Sequence, residues 1–495
     1  MPHSSRRPRA SSGHHARGGP RTRRRGPATA RQPRSVRPPR APHSGLDLAL
    51  DAAAAAPQPT AATFAGLGLD PRLVRALAAR DIRKPFAIQA RALPDALAGR
   101  DVLGRAQTGS GKTLAFGLPL LTRLAAATGR RREKAPRGLV LVPTRELAQQ
   151  VADVLAPLGR SVGVSITTVY GGVSISRQIA RVRRADVVVA TPGRLIDLLG
   201  RHACTLADIQ VTVLDEADHM ADLGFMPAVT RILDETPAGG QRMFFSATLD
   251  RGVSQLVASY ISDPALHAVT SSADSGPADH RVLVLSAQDK VPVAAEIAGR
   301  PGRTLFFVRT KHGADRLARQ LSRAGVDAAA IHGDRNQNQR QWALDGFTAG
   351  HPRVLVATDV AARGIHVDDV DLVVQFDPPN DAKDYLHRSG RTARAGASGT
   401  VIALVERTQV RDLQRLHHAA GVTATSDEVA AGHHVVRQIA TSGAPVPAAP
   451  PVPASRPEQQ ARSTRRPPRP AGDPVSSGHH ATASGRRPKK ARRAA

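Results

Sequence analysis

The chain has 495 residues, 41% of them hydrophobic, enough for two or three domains that each bury a core. Its one cysteine, Cys204, excludes a disulfide framework and a cysteine-rich zinc site. Its formal net charge of +29 is concentrated at the ends: Met1–Leu46 holds 12 arginines and no acid, and Arg456–Ala495 carries a net +9.

Residues 1–56 read as a Pro/Gly/Arg/Ser-rich tail without hydrophobic period. Self-repelling basic blocks bury little apolar surface, so both ends are expected to be disordered. Their natural partner is a polyanion, since each neutralised phosphate releases counterions. The basic N-terminus is not followed by an apolar segment of signal-peptide type: Leu46–Ala56 is short and carries Asp47 and Asp51. No run of about 18 apolar residues offers a transmembrane helix. The expectation is a cytoplasmic protein with no membrane partner.

From residue 57 to 269, short β-rich runs alternate with helical patterns. Strands are predicted at Asp101–Gly104, Gly138–Val142, Ser165–Val169, Asp186–Ala190, Val211–Leu214 and Met243–Ser246. Helical stretches such as Leu114–Leu124, Thr144–Leu158 and Arg177–Arg183 lie between them. Strands bracketed by helices predict an α/β fold with a parallel sheet covered on both faces. Ser271–Pro277 breaks the pattern, which places a hinge at 270–278. A second α/β domain follows over 279–426, with strands predicted at Arg281–Leu285, Thr304–Val308, Ala328–Ile331, Arg353–Ala357, Leu372–Phe376 and Thr400–Leu404. Residues 427–495 read as a disordered basic tail. The two domains share this alternation but no visible residue-by-residue repeat.

Ala106-Gln107-Thr108-Gly109-Ser110-Gly111-Lys112-Thr113 lies between a predicted strand and an apolar helix. Glycines let backbone N–H groups curl around phosphate oxygens, and the helix N-terminus favours the negative charge. Lys112 is placed to reach the outer phosphates, and the Thr113 hydroxyl to bind Mg²⁺. Ala106 replaces the first glycine of the usual loop pattern. Asp215-Glu216-Ala217-Asp218 stands at the C-terminal end of the predicted strand Val211–Leu214, where α/β folds place ligands. Asp215 is a candidate Mg²⁺ ligand, and Glu216 is a candidate for orienting or polarising the attacking water.

Asp215–Asp218 resembles the name-giving motif of the DEAD-box RNA helicases (superfamily 2), and further elements of that family's pattern occur in order. Pro143-Thr144-Arg145-Glu146-Leu147-Ala148 is similar to motif Ia, Gly171-Gly172 to the GG element, Thr191-Pro192-Gly193-Arg194 to motif Ib, and Ser246-Ala247-Thr248 to motif III. Gln337 and Arg340 fit the Q-x-x-R element, Thr358–Gly364 motif V, and His387–Arg394 motif VI. The resemblance spans about Phe64 to Val405 and leaves out both tails.

It implies two tandem RecA-like domains with ATP in the cleft between them. Gln89, with Phe64 upstream, would then read the adenine. Gly109, Ser110, Gly111, Lys112 and Thr113 would hold the phosphates, with Thr113 and Asp215 on Mg²⁺. Lys112, Asp215, Glu216, Arg391 and Arg394 would be the catalytic set, the two arginines acting as fingers from the second domain. RNA would meet Pro143, Thr144, Arg145, Gly171, Gly172, Thr191, Pro192, Gly193 and Arg194 on one lobe and Arg340 and Thr358 on the other. Asp218, Ser246 and Thr248 would couple RNA to closure. Contacts to phosphates position without specifying sequence, so a sequence-tolerant enzyme acting on single-stranded and structured RNA is implied. The expected protein is a monomer, with ribosomal or RNA-decay proteins as candidate partners. Two other readings stay open: an ATP-timed RNA clamp or annealing chaperone, and a DNA translocase.

The chain departs from the family pattern in three further places. Phe86 stands where a Thr or Ser is usual, His366 where an aspartate approaches the ribose, and Ala393 where motif VI has glycine.

Overall fold

The computed structural model describes residues 45–57, 63–107, 109–129, 131–269, 278–362, 370–393 and 398–443. The predicted hinge, except for Ala278, lies outside them, as do Arg363–Gly364, His366, Arg394 and most of both tails.

The first lobe contains β1 Val102–Arg105, β2 Gly138–Leu141, β3 Ile166–Val169, β4 Val187–Ala190, β5 Val211–Leu214, β6 Gln241–Ser246 and β7 Ala265–Ala268. They form one parallel sheet in the order β3-β4-β2-β5-β6-β1-β7. The second lobe contains β8 Ala278–Val284, β9 Thr304–Val308, β10 Ala328–Ile331, β11 Val354–Thr358, β12 Leu372–Gln375, β13 Gly399–Val405 and β14 Thr425–Glu428. Its order, β10-β11-β9-β12-β13-β8-β14, is the same arrangement carried forward by seven strands, again all parallel. The repetition that residue identity hides is therefore present as topology.

The strands read as apolar runs because each sheet is covered on both faces. All four residues of β2 and of β4 are buried. Successive side chains alternate between faces. Val140 and Val213 enter one apolar cluster, while Leu139, Leu141 and Leu214 enter the other. In the second lobe Val354 and Val356 face one cluster, Leu355 and Ala357 its opposite.

Two predicted boundaries are corrected. Residues 45–56, placed in the N-terminal tail, include a helix Gly45–Ala55 whose Leu50 is fully buried in the first lobe's core. Leu46, Leu50 and Ala54, spaced by four, form its apolar stripe. At the other end, Asp427 and Glu428 complete β14, and the helix His434–Ala440 buries Val435, Val436 and Ile439 against the second lobe. The edge strands β3 and β10 were predicted, but the opposite edges, β7 and β14, were not. Their short sequences (Ala-Leu-His-Ala and Thr-Ser-Asp-Glu) carry no strand period.

The equivalent positions after the first strand of each lobe differ among the described residues. After β1 the chain enters the glycine-rich loop and the helix Lys112–Ala126. After β8, Asp289 stands at the start of the helix Lys290–Ala298, where an anion would sit, and Ser286 donates to its carboxylate at 2.6 Å. The adjoining cleft of about 560 Å³ is lined by Glu406 and by Glu428, whose partner Arg407 is held in an ion pair at 2.6 Å.

Candidate active site

The glycine-rich loop is shaped by two left-handed glycines, Gly109 at φ 89° and Gly111 at φ 85°. A side chain at Gly111 would collide with Gln89 and Phe86, since a Cβ there would lie 2.4 Å from the Gln89 amide nitrogen and 2.6 Å from the Phe86 ring. Gln89 and Phe86 thus form the wall behind the loop. The Gln89 side chain donates to the Gly111 carbonyl at 2.9 Å and accepts from the Phe86 N–H at 3.0 Å. Its amide is engaged within the protein, so adenine would have to exchange with these bonds. Phe86 replaces the family hydroxyl with an apolar ring left 41% exposed. Phe64, expected at the adenine, is instead a core residue packed with Leu69, Leu73 and Leu77. Its aromatic bulk goes into holding the helix Pro71–Ala78 against the lobe.

At the loop's end Lys112 is buried and donates to the Ala106 carbonyl at 3.1 Å, with its nitrogen 3.8 Å from Asp215. Burial raises the Asp215 carboxyl above its ordinary range, Lys112 opposes this and adjacent Glu216 reinforces it. Glu216 has the left-handed backbone of a strained position, φ 53° and ψ 50°. Burial would raise its pKa too, but the hydrogen bond from His219 and the charges of His219, Lys112 and Arg391 hold it below the carboxylate range.

Asp218, Ser246 and Thr248 come together. The Asp218 carboxylate accepts from the Thr248 N–H at 3.0 Å and its hydroxyl at 2.9 Å. Ser246 accepts from the Asp218 N–H at 3.1 Å and donates to the Thr248 carbonyl at 2.7 Å. Burial raises the Asp218 carboxyl, yet the charges of His387, Lys383 and Lys112 and the Thr248 hydroxyl keep it below its ordinary value.

The second lobe closes on this end of the sheet. His387 lies 3.9 Å from Asp218, and Lys383 bonds Asp222 at 2.9 Å. Both stand on the helix Ala382–Ser389, capped by Asp381, and Arg391 follows it, buried. Arg388 is fixed by Asp359 at 2.6 and 2.8 Å. Ala393 adopts a left-handed φ of 56°, so the missing motif glycine leaves a strained residue there.

Farther along the cleft, Arg145 lies over the turn at Gly171 and Gly172. A Cβ on Gly172 would come 2.3 Å from the guanidinium. Arg194 donates to the Val173 carbonyl at 3.1 Å, and Thr191, Pro192 and Gly193 open the helix Pro192–Gly200. Thr358 ends β11 half-buried. Two expected RNA contacts also have partners within the protein. The Thr144 hydroxyl is buried and caps its helix by accepting from the Leu147 N–H at 3.2 Å. Arg340 is buried and pairs with Glu146 at 3.0 Å. Sequence reasoning missed Glu146, which also accepts from Gln337. It also missed His219, whose proximity to Glu216 only the turn after β5 reveals.

Residues 86–256 match the DEAD/DEAH box helicase family, and residues 289–396 match the helicase conserved C-terminal domain. The ATP-dependent rRNA helicase RRP3 of Candida glabrata is 40% identical over 367 residues, covering 72% of this chain and 73% of that protein.

The chain belongs to the DEAD/DEAH box helicase family.

The mitochondrial DEAD-box ATP-dependent RNA helicase 9 of Arabidopsis thaliana is 41% identical over 368 residues, 72% of this chain. The chain spans only 60% of that relative's length. Among solved structures, S. cerevisiae Dbp5 bound to RNA and ADP BeF3 superimposes with a TM-score of 0.68 at 29% identity, covering 77% of this chain and all of that one. The two parallel seven-stranded lobes are thus the tandem RecA-like pair of this helicase family.

Proposed function

We propose that the chain is an ATP-dependent RNA helicase that hydrolyses ATP in the cleft between its lobes and uses closure to separate or remodel structured RNA. The observation that carries this reading is convergence. Lys112, Asp215, Glu216 and Asp218 meet at the strand ends of the first lobe, and His387 lies against Asp218 from the second. The relatives named as ATP-dependent RNA helicases and the solved Dbp5 complex with RNA and ADP BeF3 support the choice of nucleotide and nucleic acid.

In this reading Lys112 leaves the Ala106 carbonyl for the outer phosphates, and the N–H groups of Gly109–Thr113 receive their oxygens. Glu216 accepts a hydrogen bond from the attacking water and so orients and polarises it. Arg391, with Arg394 as its expected companion, offsets charge on the transferring phosphoryl group, an effect worth roughly 10³–10⁵ in rate in comparable enzymes. Thr113 and Asp215 would hold Mg²⁺. A carboxylate and a hydroxyl as the protein's ligands suit a cation that keeps waters and takes its other ligands from phosphates. Bound there, the ion would neutralise phosphate charge. The Asp218–Ser246–Thr248 cluster and His387 tie this chemistry to the second lobe.

The test is Lys112→Ala in the full chain. RNA-stimulated ATP hydrolysis and strand separation should both fall to background. Strand pairing or clamping that persists without ATP would favour the annealing reading. Equal stimulation of the unaltered protein by single-stranded DNA would overturn the RNA assignment.

A further inference from the structure

His219 has no part in the reaction as described, yet it touches the residue that does most. Its Nδ1 lies 2.9 Å from Glu216 Oε2, and both side chains are more than nine-tenths buried. A carboxylate oxygen is an acceptor, so at this distance the imidazole meets it by carrying the hydrogen on Nδ1 and donating it. The bond spans one helical turn, from the strained residue ending the β5 turn to the third residue of the short helix Ala217–Asp222. The His219 N–H is itself fixed, donating to Asp218 Oδ1 at 3.0 Å. The ring's other nitrogen, Nε2, is buried without a hydrogen-bond partner among the described residues. Nδ1 alone therefore sets the ring's polar contact.

We infer that His219 is a positioning residue for hydrolysis: it occupies Oε2 of Glu216 so that Oε1 is the oxygen left to meet water. A glutamate side chain has three rotatable bonds, and a free carboxylate beside Lys112 would be drawn toward that ammonium. The hydrogen bond from His219 opposes this pull and holds the carboxylate in one orientation. Charge-assisted bonds of this type are short and strong, and misplacing a reacting group by about 1 Å costs on the order of a hundredfold in rate. The His387 ring, 6.0 Å from that of His219, backs it from the second lobe. The second lobe thus reaches the positioning residue as well as Asp218.

This inference rests on the proposed ATPase, so the experiment measures steady-state RNA-saturated hydrolysis by the full chain. Four variants are compared: His219→Phe, His219→Asn, Glu216→Gln and the double variant His219→Phe/Glu216→Gln. Phe fills the site without a donor, and Asn returns an N–H near the place of Nδ1. His219→Phe should lower kcat by about tenfold or more with KM for ATP and the melting temperature unchanged. His219→Asn should recover most of that loss. In the Glu216→Gln background His219→Phe should do nothing further, since coupled residues are non-additive. An unchanged kcat in His219→Phe would overturn the inference, as would equal losses in Phe and Asn at equal stability. If the unaltered chain shows no RNA-stimulated hydrolysis, the functional reading fails instead.

Discussion

Arg340 of the second lobe sets its guanidinium 3.0 Å from the Glu146 carboxylate of the first, and Gln337 donates to the other oxygen of the same group at 3.0 Å. One acidic side chain, on the helix that opens with motif Ia, therefore holds two residues of the Q-x-x-R element. An RNA phosphate would have to compete with Glu146 for Arg340. In Glu146→Gln the competitor's charge is gone, while the neutral amide oxygen still accepts from Gln337. RNA affinity without nucleotide should rise, because a buried guanidinium that has lost its acidic partner gains more from pairing with a phosphate. Fluorescence anisotropy with a labelled single strand measures this. An unchanged or weaker affinity would show that Arg340 does not reach RNA.

The strained Ala393 offers a stability gain. Returning a glycine relieves about 1–2 kcal/mol of left-handed strain against roughly 0.5–1 kcal/mol of backbone entropy. Ala393→Gly should raise the melting temperature by about 1–3 °C. A drop in calorimetry would mean that the turn is not strained in solution. Gly399→Ala should do the opposite, because a Cβ there would meet the Thr392 hydroxyl at 2.2 Å and the Ala393 nitrogen at 2.6 Å.

Acid should weaken the second lobe through a cluster beneath the motif VI helix. Tyr385 is buried, its hydroxyl lies 2.8 Å from His280 Nδ1, and its ring meets His417 edge-on at 4.7 Å. Burial lowers the pKa of His280, against the pull of Asp279. Burial likewise lowers that of His417, helped by His280. The unfolded chain then binds protons that the folded lobe resists. This stability is fully present above the unfolded histidine value of about 6.5 and is lost as pH falls through the lower folded values. Urea midpoints should be flat from pH 8 to 7 and decline toward pH 5, with a shallower decline in His417→Gln. Equal slopes in the two proteins would remove the cluster from the account.

The corrected boundary at residue 45 divides the N-terminal region into two parts with different expected effects. Beyond burying Leu50, the helix Gly45–Ala55 is held by Arg91, which donates to the Ala53 and Ala56 carbonyls, and by Arg105, which pairs with Asp51. Deleting 1–44 should leave the melting temperature unchanged and flatten the salt dependence of RNA binding, because the arginine block goes with it. Extending the deletion through Pro57 should also lower the melting temperature by several degrees. Matching melting curves for the two truncations would show that the helix adds no stability.

The order of motifs and the two parallel lobes were legible in the residues alone, and local spacing singled out Lys112, Asp215 and Glu216 as candidates, while Arg391 came from the family resemblance. Phosphate loops and strand-end carboxylates depend on local spacing, and buried parallel strands advertise themselves as apolar runs. Side-chain partners across the fold were not legible. Phe64 looks like a base contact in sequence but lies in the core, and Arg340, expected at RNA, is paired with Glu146. Competition for each polar or apolar side chain is settled by neighbours distant in sequence. The same holds for His219: that a histidine follows the acidic motif is plain from the chain, but its bond to Glu216 exists only because the left-handed turn after β5 folds the helix back onto the carboxylate. Local spacing determined the chemistry this protein carries, and tertiary packing decided which atoms are free to perform it.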